Sequence, residues 1–83
     1  MVKLNKAVEV LESLQEKIEE KIETLEDKKS TIEEKAYERE SGENTERELE
    51  RIEAIEEEIE ELQTELEEVE NAISNLSEYT DYE

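Results

Sequence analysis

Eighty-three residues leave room for one small domain, and 47% of them are charged against 33% apolar, with 29 acids, 10 bases and a net charge of −19. No Pro, Phe or Trp and a single Gly occur, which excludes most sheet folds for want of turn formers and aromatic runs. The absence of Cys and His also excludes disulfides, thiol and imidazole chemistry and the common zinc sites.

So polar a composition also fits a disordered chain, and folding has to be argued from periodicity. The opening Met1-Val2-Lys3-Leu4-Asn5-Lys6 holds no apolar run of signal-peptide length, and no stretch approaches the ~20 apolar residues of a membrane span. The reading is therefore a cytoplasmic chain. From there a seven-residue repeat sets in over about 3–40. Leu4, Leu11, Ile18, Leu25 and Ile32 take one core position, and Val8, Gln15, Ile22, Lys29 and Ala36 take the other. The two polar members, Gln15 and Lys29, read as register-setting residues, the lysine stem lying along the seam with its ammonium in water. A second cap signal, Ser30 or Thr31 ahead of Glu33 and Glu34, marks a place where the helix could bend.

The turn is expected at 41–44, where Ser41-Gly42-Glu43-Asn44 breaks the pattern; Thr45 with Glu48 then forms a capping box that starts a second helix over about 46–78. In that helix Ile52, Ile59, Leu66 and Ile73 alternate with Ile55, Leu62, Val69 and Leu76 in a seam with no polar member. With Gly42 as pivot, facing positions sum to 84. Val8 then meets Leu76, Ile18 meets Leu66, Ile22 meets Leu62 and Ile32 meets Ile52, each joining an a to a d position as an antiparallel seam requires. The fold class is thus all-α, an antiparallel two-helix coiled-coil hairpin in a single domain, with a continuous rod dimer as the competing arrangement. The acidic residues 79–83 are expected to fray.

The two edges of this hairpin differ. On one, Lys21 can reach Glu65 and Lys28 can reach Glu58; on the other, Glu12 faces Glu70 and Glu26 faces Glu56, and like charges meet. Residues 1–40 carry 12 acids and 8 bases, residues 41–83 carry 17 and 2, and no base follows Arg51. The second helix therefore presents a carboxylate face of Glu53, Glu56, Glu57, Glu60, Glu61, Glu67, Glu68 and Glu70, the candidate partner-binding surface. Each of these is singly a solvated glutamate that favours helix and solubility. Together they approach a polyanion. A helix of about 35 residues spans roughly 50 Å, which gives about one net charge per 2.7 Å against one per ~1.7 Å in duplex DNA. Direct binding to nucleic acid or an anionic membrane is disfavoured, and a basic protein surface is the natural partner.

A two-helix hairpin buries one narrow seam and small scaffolds of this kind need added support. At its open end the apolar stripe widens through Ala7, Val10 and Leu14 on the first helix and Ala72, Tyr79 and Tyr82 on the second. That widening reads equally as a thicker hairpin core or as an oligomer or partner patch; pairing there gives a homodimer, a four-helix bundle with its acidic edges outermost.

No catalytic residues are assigned. A two-helix rod offers no cleft to raise a carboxylate pKa, no Gly-rich phosphate loop is present, and no base stands beside the Ser and Thr residues. Paired helical glutamates bind divalent cations weakly at most, so neither a metal site nor a cofactor is assigned, and the chain reads as a non-enzyme.

In layout and composition, carried by Glu-rich heptads such as Ile55-Glu56-Glu57-Glu58-Ile59-Glu60-Glu61-Leu62, the chain resembles the small, acidic, Cys-free helical proteins of bacteriophages and mobile elements. Some of these act as nucleic-acid mimics in basic grooves of host defence or DNA-processing proteins. The resemblance implies an anti-defence inhibitor or decoy working in the host cytoplasm; the alternative is a structural or adaptor coiled coil that dimerises or docks a partner helix through the apolar patch.

Overall fold

A computed structural model describes the backbone of residues 2–80 and the side-chain burial of residues 5–78. Its two long helices, α1 (Val2–Glu34) and α2 (Glu46–Thr80), are separated by a 3₁₀ turn at Lys35–Glu38 and pack against each other. No strand occurs among the described residues. Glu, Lys, Leu and Ala are strong helix formers, but sequences this polar hold together only through an apolar stripe that finds a partner.

That stripe is the heptad seam. Ile18, Ile22, Ile32, Ala36 and Ile52 are buried, and every other described seam position, Gln15 and Lys29 included, is half-buried. The surrounding helical positions are solvent-exposed except at Ala7, Glu48, Ala72 and Ser77. Polar contacts cross the seam among the described residues: Gln15 Nε2 donates to Glu70 Oε2 at 3.2 Å, and Lys29 Nζ lies 3.6 Å from Glu56 Oε2. Fourteen residues forward on α1 thus correspond to fourteen backward on α2, a hairpin-like arrangement. The rod measures 64 × 16 × 13 Å between Cα extremes.

The helical stretch through Ser30 and Thr31 is unbroken. Thr31 Oγ1 donates to the Asp27 carbonyl at 2.9 Å, so the hydroxyl returns to its own helix instead of capping a new one. α-Helical geometry ends at Glu34, short of the heptad's reach to residue 40, and the 3₁₀ turn keeps Ala36 in the seam while redirecting the chain. Arg39 is extended at φ −98° and ψ 149°. Gly42, at φ 68°, adopts the left-handed geometry that costs a residue without Cβ least, and its N–H donates to the Arg39 carbonyl at 3.1 Å.

The start of α2 is a complete capping box. Glu48 N–H donates to Thr45 Oγ1 at 3.2 Å and Thr45 N–H donates to Glu48 Oε1 at 2.9 Å, so two otherwise orphaned donors are satisfied reciprocally. The same carboxylate accepts the Arg39 guanidinium in a two-pronged fork, Nη1 to Oε1 and Nη2 to Oε2, the latter at 2.8 Å. Asn44 Nδ2 adds a third neighbour, 3.2 Å from Glu48 Oε1, and donates at 2.8 Å to the Ile32 carbonyl near the end of α1. Hydrogen bonds from Arg39 and then from the Thr45 backbone hold the Glu48 carboxyl far below the usual carboxylate range, and the bond to Glu48 raises the Arg39 guanidinium pKa in turn. This network joins the end of α1 to the start of α2.

Candidate functional site

All eight glutamates of the expected acidic face lie on α2 and all are exposed. They divide by their contacts. Glu70 accepts from Gln15 and Glu56 pairs with Lys29, whereas the carboxylates of Glu53, Glu57, Glu60, Glu61, Glu67 and Glu68 have no hydrogen bond or ion pair among the described residues. These six are directed to solvent.

The edge expected to repel itself is relieved by the two polar seam residues. Gln15 and Lys29 stand two heptads apart and both reach the Glu70 and Glu56 side, so an amide and an ammonium each meet an α2 carboxylate on that edge. Lys29 keeps 30% of its side chain exposed, as a stem lying along an apolar seam with a wet head should.

On the opposite face the described ion pairs do not include Lys21 with Glu65 or Lys28 with Glu58. Lys17, Lys21, Thr24 and Lys28 line a shallow open groove there with Glu20, Glu58, Leu25 and Leu62. It continues past Thr24 and Lys28 to Thr31, Ile32, Lys35, Arg51 and Asp27. A basic face on so acidic a chain was legible in the heptads: the two α1 positions flanking the seam on this side carry no acid between Ala7 and Lys35. The overall charge balance conceals it.

The open-end patch is partly covered. Ala7 and Ala72 are half-buried, while Val10 keeps 63% and Leu14 42% of its surface exposed. Tyr82 and the tail beyond Thr80 lie outside the described residues, as does the side chain of Tyr79. Tyr37 and Leu49 are further large exposed side chains near the loop. Among the described residues no three carboxylates converge as a metal site, and no helix is long and apolar enough to cross a membrane.

The length of the rod lowers the charge density below the value expected from a helix of roughly 50 Å. Residues 2–80 hold 27 acids and 10 bases, a net −17 over 64 Å, or about one charge per 3.8 Å. A single rod is therefore less than half as dense as duplex DNA; two side by side come to about one per 1.9 Å. No protein-family model, curated protein or solved structure matches the chain.

Proposed function

We propose that the chain is a non-catalytic acidic binding protein, an antiparallel hairpin turning near Gly42, that acts as an inhibitor or decoy by occupying a basic surface of a target protein. Nucleic-acid-binding proteins are the class of target that such a surface fits, and a phage-encoded anti-defence role in the host cytoplasm is the setting. The hairpin works as a homodimer without cofactor, and binds neither nucleic acid nor membrane directly.

The observation that carries this reading is the set of six uncommitted α2 carboxylates on a helix with no base after Arg51. Carboxylates fixed along a rigid helix need little reorganisation to meet a row of lysines or arginines, and long-range attraction speeds their encounter. The hairpin is supported by the two matched cross-seam contacts and by the capping network. Paramagnetic labels on Glu12→Cys and Asn71→Cys, diluted into unlabelled chain, should lie side by side in a hairpin and about 90 Å apart in a continuous helix.

A second reading, an adaptor coiled coil, is favoured by the exposed Val10 and Leu14. Immobilised chain separates the two. If Gln replaces Glu53, Glu57, Glu60, Glu61, Glu67 and Glu68, a decoy loses its basic, nucleic-acid-binding partners, and salt elutes the same partners from the unaltered chain. An adaptor keeps salt-resistant partners through those changes and loses them on Leu14→Glu.

A further inference from the structure

The acid-free row of α1 that flanks the seam has a counterpart on α2. Stepping alternately three and four residues along α1 passes Leu14, Lys21 and Lys28; the neighbouring row on α2 passes Glu58, Glu65 and Ala72. At the open end both rows are apolar, and toward the middle one is basic and the other acidic.

We propose that this face is where a second copy of the chain docks, two hairpins lying face to face about a two-fold axis along the rods as a four-helix bundle. The inference deepens the homodimer proposed above and rests on the antiparallel hairpin. With that axis α1 of each copy lies against α2 of the other at equal height. Leu14 of one copy then meets Ala72 of the other, Lys21 meets Glu65, and Lys28 meets Glu58. A two-fold axis across the rods would instead set the apolar end of each copy against the basic stretch of the other.

Three observations converge on a second copy as the occupant. The face is complementary to itself in both sign and polarity, as an isologous interface requires. Pairing through it turns Glu53, Glu56, Glu60, Glu67 and Glu70 of each copy, which lie on the other edge of α2, outward, so their mutual repulsion acts across the widest separation. The chain also has surface to spare: a compact globular protein of its 9.8 kDa exposes about 5,200 Å², whereas this rod exposes 6748 Å². No side chain among the described residues is completely buried. The excess, roughly 1,500 Å² per chain, is more than the about 800 Å² that a standard interface removes from each partner, so the rod has area enough for one. Near the loop Lys35 and Arg51 carry like charge, so the two copies pack most closely at the open end.

Sedimentation equilibrium of the full chain tests this with a charge exchange. The unaltered chain should be a dimer. Lys21→Glu with Lys28→Glu, and separately Glu58→Lys with Glu65→Lys, should each weaken self-association by about tenfold or more. An equimolar mixture of the two should restore it, because every facing pair is again of opposite sign. A chain that stays monomeric to about millimolar concentration, or a mixture that fails to dimerise while both variants remain helical by circular dichroism, overturns the proposal. If the exchanged variants lose their helices, Val10→Glu with Leu14→Glu decides, since it leaves the lysine and glutamate rows intact: a dimer as tight as the unaltered one overturns the proposal, a monomer supports it. The label distance between residues 12 and 71 within one chain reports on the hairpin separately.

Discussion

Glu48 does the work of a cap and of a tie. Its backbone and carboxylate close the box with Thr45 while the same carboxylate receives Arg39 from the far side of the loop. Glu48→Gln keeps an acceptor for the Thr45 N–H and removes the charge, so it isolates the Arg39 fork from the cap. The carboxyl pKa in the folded chain lies far below its ordinary 4.5. Its contribution to stability is therefore fully present above about pH 4.5 and is lost progressively as pH falls toward the folded value. The glutamine variant should melt a few degrees below the unaltered chain near about pH 7, and the gap should begin to narrow below about pH 4.5 and be smaller by about pH 3. A gap independent of pH, in thermal melts followed by circular dichroism, would mean that the fork adds nothing beyond neutral hydrogen bonding. Asn44→Ala should cost about 1 kcal/mol at about pH 7 and somewhat less at about pH 3, because besides the bond to the Ile32 carbonyl, which involves no titrating group, it loses a bond to the Glu48 carboxylate.

At the scale of elements, stability resides in the seam. Ile18→Ala removes a buried side chain and should cost about 2–4 kcal/mol; Tyr37→Ala, 86% exposed, should stay within about 0.5 kcal/mol. Lys29→Leu trades an exposed ion pair of small worth for apolar burial opposite the Ile55 row, so its melting temperature should rise. A fall would assign the Lys29–Glu56 contact a weight its exposure argues against. The seam was legible beforehand because a heptad repeats its signal at each turn, and the capping box because its partners are three residues apart. Arg39 was not legible as the partner of Glu48, since that contact depends on a 3₁₀ turn and an extended residue whose geometry no periodicity encodes. The same applies to the lean of Gln15 and Lys29 toward one edge, which side-chain reach decides. The acidic face was legible as a set of residues; the division between its six free carboxylates and the two engaged by α1 required the packing.

For the whole molecule the governing quantity is charge per unit length. A net −17 over residues 2–80 along 64 Å opposes both the hairpin and its pairing, so raising salt from about 0.05 to about 0.5 M should raise the melting temperature through screening. A decrease would mean that the few specific ion pairs outweigh the general repulsion. The same quantity yields a prediction about recognition that net charge alone would reverse. One rod falls short of the linear density of duplex DNA by more than half, whereas a face-to-face pair comes within about a tenth of it. If a basic partner responds to that density, separating the pair weakens binding even when the separating substitution adds a negative charge. Leu14→Glu does both. At a chain concentration where the unaltered protein is paired, its affinity for a fluorescent oligolysine, followed by anisotropy, should fall several-fold. If affinity tracks net charge, the same variant should bind slightly more tightly, and binding would then be a property of the single helix face, with pairing contributing only to stability.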